Sequence, residues 1–198
     1  MGPILEYIMI TEIMKNKNKL KGSRFYSAGP LEMNSDKNAL DWRLQVHNEL
    51  SKLGIIHLDP TKEMFDDGVV ESNDIRKNFR DEVYKGNWDE VVDYFSKVIY
   101  KDCRLLDVSD FVVFNWHDFK TPTFGTHTEL WLAINQKKPV FVICENINEV
   151  PFWIMGLLKS RSYFYQSVES CIETIKKIDS GEIPMESRKW KLLREELR

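Results

Sequence analysis

Asp110-Phe-Val-Val-Phe-Asn115, Phe124-Gly-Thr-His-Thr-Glu129 and Pro139-Val-Phe-Val-Ile-Cys144 together decide the fold. The first run places four apolar residues in succession, rich in β-branched and aromatic types, as a strand covered on both faces would. Gly125 to Gln136 reads as a helix and residues 139–144 as a second buried strand. Strand, loop, helix and strand therefore follow at the spacing of a right-handed crossover unit.

Upstream, Arg24-Phe-Tyr-Ser-Ala-Gly-Pro30 is a short aromatic strand stopped by a Gly-Pro breaker. From Asp36, the residues Leu40, Leu44, Val46, His47, Leu50 and Leu53 fall close to one helical face, and Gly54 supplies the stop. Ile55-Ile-His-Leu58, closed by Asp59-Pro60, is the next strand. Residues 61–86 read as an irregular or partly helical excursion, a candidate lid, and 88–108 as a helix broken near Tyr100. Downstream, Pro151 to Leu158 is a helix, Tyr163-Phe-Tyr165 an edge strand, Ser167 to Ile178 a helix, and Glu186 to Arg198 a charged helical tail.

This alternation predicts an α/β fold: a doubly wound five-stranded parallel sheet in a Rossmann/flavodoxin-like three-layer sandwich. The expected organisation is an N-terminal extension at 1–22, one domain at 23–180 and a tail at 181–198, with Lys15 to Lys21 as a solvated tether.

Of 198 residues, 42% are hydrophobic and 30% charged, ordinary for a globular chain, and the net charge of −3 offers no field to attract duplex nucleic acid. Cys103, Cys144 and Cys171 lack metal-ligand spacing and read as reduced thiols in a cytoplasmic protein. The apolar stretch near Tyr7 to Ile10 is too short to span a membrane. His117 and His127 have no carboxylate at ligand spacing, so no metal is expected.

In such sheets, ligands sit beyond the carboxyl ends of the strands. Candidate chemistry thus falls at Ser27 to Glu32, Asp59 to Lys62, Asn115 to Gly125 and from Glu145 onward. Gly125 lets a ligand approach the backbone at a helix start, and Glu129, one turn further, points back toward that mouth as a carboxylate able to attack a sugar carbon. Thr126 and Glu129 also have the spacing of a capping box. Asp102 falls on the last turns of the helix before the core strand, where a solvated carboxylate is the plainer role. Trp116 and Phe124 flank the loop and are candidates to stack on a nucleobase, though core packing is the commoner use of such rings.

Taken in order, Tyr26-Ser-Ala-Gly-Pro30, Trp42-Arg43, Asp59-Pro60, Asp102 with Asp110, Gly125-Thr126 with Glu129, and Lys138-Pro-Val140 resemble the nucleoside 2-deoxyribosyltransferase family. That family includes the related deoxynucleoside 5′-monophosphate N-glycosidases, and the resemblance runs from about residue 24 to 165. It implies that Glu129 is the nucleophile that forms a glycosyl-enzyme intermediate and Asp102 the acid that helps the base leave. Two carboxyl groups in different environments divide those roles in retaining glycosidases.

Six positions before Glu129, where many of the transferases carry an acid for the sugar 5′-hydroxyl, this chain has Thr123, which leans toward a 5′-phosphate. Lys120 and Arg43 are candidate charges for that phosphate, and Pro30 and Leu31 stand where the family contacts the base. The expected substrate-binding set is Tyr26, Gly29, Pro30, Leu31, Arg43, Asp59, Asn115, Trp116, Thr123, Phe124, Gly125 and Thr126, with no cofactor. The implied partners are a small-molecule nucleoside or nucleotide, a free nucleobase, and further copies of the chain in a homodimer or higher homo-oligomer with a shared active site. Phe152 to Tyr165, where the family borrows residues from a neighbouring subunit, shows no clear match. Transfer to a second base is the first expectation and transfer to water the alternative. A phosphoribohydrolase with a PGGxGTxxE loop is disfavoured because Pro122-Thr-Phe-Gly-Thr126 lacks the paired glycines, and a non-catalytic nucleotide sensor is the remaining reading.

Overall fold

The computed structural model describes residues 18–30, 36–63, 68–70, 72–116 and 124–184. Its strands are β1 (Arg24–Ala28), β2 (Ile56–Leu58), β3 (Phe111–Asn115), β4 (Val140–Ile143) and β5 (Phe164–Tyr165). The helices are α1 (Asp36–Ser51), α2 (Asn73–Lys85), α3 (Trp88–Asp107), α4 (Phe124–Asn135), α5 (Phe152–Leu158) and α6 (Val168–Ser180). All pairings are parallel, in the order β2-β1-β3-β4-β5, with Tyr26 opposite both Leu58 and Val112. The strand order reverses between β1 and β3, and the sheet is the flavodoxin-like form of the doubly wound α/β fold.

Alternation along the buried strands builds a core on each face. Phe25, Phe111, Val113 and Phe141 meet Trp42, Val46 and Leu50 of α1 and Ile172, Ile175 and Ile178 of α6. Tyr26, Val112, Phe114 and Val142 meet Leu105 and Leu106 of α3, Leu130 and Ala133 of α4, and Ile154 and Leu158 of α5. Fully burying one such side chain stabilises by about 1.5–3 kcal/mol, which is why an uninterrupted apolar run is a dependable strand signal.

One expectation is sharpened and two need correction. Residues 61–86 contain a regular helix, α2, capped by Ser72, whose side chain accepts from the Ile75 amide, and ended by Gly86 at φ 88°. Its charges hid a stripe of Ile75, Phe79 and Val83, and Phe79 packs on Tyr94 and Phe95 of α3 with ring centroids 4.7 and 5.5 Å apart. Helix α3 is continuous through Tyr100. Lys101, next to Tyr100, is buried, and its Nζ donates to the carbonyls of Pro60 at 2.7 Å and Val69 at 3.4 Å. Finally, the expected tether is ordered at its end: Leu20 is 1% exposed in the core, and its amide donates to Asp179 Oδ1 at 2.8 Å. The expected tail at 186–198 lies outside the described residues. Among the described residues, no helix is long and apolar enough to cross a membrane.

Candidate active site

A cleft of about 250 Å³ opens at the switch point, lined by Gly29, Pro30, Arg43, Pro60, Arg76, Phe95, Val98, Ile99, Asp102, Phe124, Gly125, Thr126 and Glu129. Each comes from a segment the topology sends there. The turn after β1 carries Gly29 and Pro30, the segment after β2 carries Pro60, and the first turns of α4 carry Phe124 to Glu129. On α3, Phe95, Val98, Ile99 and Asp102 recur at three- and four-residue steps, so one helix face forms a continuous wall.

Beneath the cleft, Tyr26 is fully buried and its hydroxyl donates to Glu129 Oε1 at 2.5 Å. Tyr26 stands on the inward register of β1 that faces α4, so strand periodicity alone aims it there. Burial, then the charges of Glu129 and Asp102, hold the phenol pKa well above its ordinary value; Arg43 pulls weakly the other way. Tyr26 therefore stays a hydrogen-bond donor across the physiological range, fixing one oxygen of a half-buried carboxylate that also faces the cleft.

Gly29 is required by sterics. A Cβ there would lie 2.9 Å from the Asn115 carbonyl oxygen and 3.2 Å from the Trp42 ring. The tips of β1 and β3 can lie side by side only without it. Gly125 differs: a Cβ there meets nothing within 4 Å and would project into open space beside the cleft. Thr126 is buried within α4, and since that helix begins at Phe124, Thr126 is not its N-cap and the capping-box spacing is coincidental.

The other expected residues divide. Arg43 is 1% exposed, its guanidinium 4.6 Å over the Trp42 ring and its Nη2 donating to the Gly29 carbonyl at 3.1 Å. It supports the β1 turn from below and is at the same time part of the cleft lining. Asp59 is buried outside the cleft lining, and its Oδ1 accepts from the Thr61 amide at 3.0 Å and the Thr61 hydroxyl at 2.7 Å. That turn sets Pro60 into the wall. Trp116 is fully buried, 5.8 Å from Phe114 and 5.0 Å from His127 between ring centroids, and so cannot stack on a ligand in this arrangement. Its position after a buried strand extended the core by one residue, which the loop-edge reading missed. Asn115 is absent from the cleft lining and contributes the backbone oxygen beside Gly29. Phe124, 86% exposed, offers its ring at the mouth. Leu31, Lys120 and Thr123 lie outside the described residues.

Pro60 falls in the Asp59 to Lys62 stretch that the sequence marked, whereas sequence reasoning missed Arg76, Phe95, Val98 and Ile99. For the α3 residues a signal existed, since the stripe leads by helical steps to Asp102. Arg76 had none, because it reaches the cleft only through the packing of α2 on α3.

Fold and cleft together define a flavodoxin-like doubly wound α/β protein with two carboxylates at its switch point. No protein-family model matches the chain, and no curated protein matches it. Solved structures do. A 2-deoxyribosyltransferase from the psychrotolerant bacterium Bacillus psychrosaccharolyticus aligns with a TM-score of 0.51 and 16% identity, covering 82% of this chain and 96% of that one. A conserved protein from Enterococcus faecalis V583 aligns at 0.51 and 18%, covering 78% and 98%. A CMP N-glycosidase from Clostridium botulinum aligns more loosely, at 0.45 and 12%, covering 77% and 97%. At these identities the first two likenesses show a common fold.

Proposed function

We propose that the protein cleaves the N-glycosidic bond of a (deoxy)nucleoside or its 5′-monophosphate and passes the deoxyribosyl group to a second base. The observation that carries this reading is the Glu129 carboxylate, oriented by the buried Tyr26 hydroxyl at 2.5 Å and lining one cleft with Asp102. In the first step a Glu129 oxygen attacks the anomeric carbon, the C–N bond breaks, and Asp102 delivers a proton to the departing base. In the second, an incoming base attacks the same carbon, the ester to Glu129 breaks, and Asp102 takes the proton back. Splitting one displacement in two lowers each barrier. Phe124 at the mouth supplies a face for stacking on the base.

A second copy of the chain is part of this proposal. Short helix α5 exposes Phe152 at 89% and Trp153 at 78%, beside Trp131 on neighbouring α4. Large exposed aromatics on adjacent helices mark an association surface, and Phe124 on α4 continues them toward the cleft.

The test is incubation with a deoxynucleoside or its 5′-monophosphate, with and without a second free base. Base exchange without free sugar supports the transferase, and base release without an acceptor supports transfer to water instead. Glu129→Gln is expected to lower turnover by about 10³-fold or more. No base release from any nucleoside or nucleotide, or undiminished turnover in Glu129→Gln, overturns the proposal.

A further inference from the structure

Behind the wall that α3 gives the cleft, Lys101 is 1% exposed, a burial that an ammonium tolerates only where its hydrogens and its charge are answered. Two hydrogens are answered by the carbonyls of Pro60, at 2.7 Å, and Val69, at 3.4 Å, on the chain between β2 and α2. The charge is answered by Asp102, whose Oδ1 lies 3.9 Å from Nζ. Side chains at successive helix positions point about 100° apart, so these two would diverge on an isolated helix. The Pro60 and Val69 carbonyls hold the ammonium in place beside the carboxylate.

This arrangement acts on the cleft in two ways. Donation to Pro60 fixes part of the cleft wall relative to the helix that carries Asp102. The approach to Asp102 acts on the proton itself, because a positive charge so near a carboxyl favours its ionised form, and burial removes most of the water that would screen it. Other charged or titratable groups around Asp102, among the described residues, are Glu129 from α4, Tyr26 from β1, Arg43 from α1, Arg76 from α2 and the adjacent Cys103 on α3. The Glu129 carboxylate favours a proton on Asp102, and Lys101 opposes it with a charge anchored at two backbone oxygens.

We propose that Lys101 is a positioning residue for proton transfer: its buried ammonium makes Asp102 a stronger acid and sets the pH at which Asp102 carries the proton given to the departing base. The proposal rests on the glycosidic reading for the purpose of that proton, but its electrostatic part can be measured apart from turnover.

The experiment follows the Asp102 side-chain carboxyl of the full chain by heteronuclear NMR from acidic to neutral pH, with the signal assigned by its loss in Asp102→Asn. Wild type is compared with Lys101→Gln, which keeps a donor for the carbonyls and removes the charge. The Asp102 midpoint is expected to rise by about one pH unit or more in Lys101→Gln. The decline of kcat/KM for base release as pH rises through that midpoint should move upward by the same interval. Circular dichroism checks the fold of the variant. Should Lys101→Gln fail to fold, the unaltered lysine decides: its Nζ signal is expected to shift through the same midpoint as the Asp102 carboxyl, and to lose that step in Asp102→Asn. An unmoved Asp102 midpoint in folded Lys101→Gln, or the absence of a shared step at Nζ, overturns the proposal, since a lysine that merely ties α3 to two carbonyls would give those results. If no nucleoside or nucleotide releases its base while the Asp102 midpoint responds as expected, the catalytic proposal fails and the pairing of Lys101 with Asp102 stands.

Discussion

At Tyr26 a single hydroxyl links the strand to the Glu129 carboxylate. The phenol is sealed in the core on one side and bonded to Glu129 on the other, so removing its oxygen leaves the ring packing in place and takes away only the carboxylate's orientation. Hydrogen bonds to charged groups contribute about 1.5–3 kcal/mol, so Tyr26→Phe is expected to reduce kcat about 10- to 100-fold and to lower the thermal midpoint by several degrees, with the fold intact at assay temperature. Steady-state kinetics beside a melting curve checks this; unchanged kcat would show that Glu129 needs no such guide. Glu129, Gly29 and Thr126 were legible from sequence because each follows a strand or helix boundary that hydrophobic pattern marks, whereas Asp102, inside α3, was pointed to by the family resemblance. Trp116 was misread, since one residue past β3 separates core from loop and no local pattern records which side a ring takes.

Among the elements, the turn after β1 and the tip of β3 approach each other closely beside the site. Gly29 fits because its hydrogen faces the Asn115 carbonyl, with the Trp42 ring and Arg43 guanidinium closing the space from α1. Adding one methyl must push β1 away from β3 or displace α1. Overpacking of this kind costs about 1–3 kcal/mol, and Gly29→Ala is expected to lower the urea midpoint correspondingly and to depress activity with it. Full stability in that variant would show that the turn yields more easily than its neighbours suggest. Helix α3 teaches the complementary lesson. A break was expected near Tyr100, yet the helix runs on, and buried donation from Lys101 to Pro60 and Val69 ties the segment after β2 to the helix that carries Asp102.

For the whole molecule, two predictions follow from charge and from exposed surface. His57 stacks on Phe25 at 4.3 Å, and its Nε2 lies 2.8 Å from Ser27 Oγ. Burial chiefly, with His47, Lys62 and Arg43 adding to it and Asp59 opposing, lowers its pKa from 6.5 to about 4. The unfolded chain accepts that proton near the ordinary value, whereas the folded one refuses it until much lower pH. Stability from this group is therefore complete above about pH 6.5 and is lost as pH falls toward 4, by about 3 kcal/mol in all. Urea midpoints measured across that range should fall more steeply for the wild type than for His57→Phe, and parallel curves would refute the assignment. The second prediction concerns assembly: light scattering should give a multiple of the 23.4 kDa chain mass, and Trp153→Asp should shift it toward one chain. A wild-type mass of one chain would remove the case for a shared site.

Periodicity and punctuation in the chain by themselves determined the parallel α/β sheet, its strand boundaries and the placing of Glu129 at a helix start, because these depend on which neighbours along the chain are apolar and where glycine or proline stops them. Tertiary structure alone decided which side chains share the cleft. Tyr26 reaches Glu129, and Arg76 reaches the same space, across separations in sequence that no local pattern encodes; only the packing of β1 under α4, and of α2 on α3, brings them within range of one ligand.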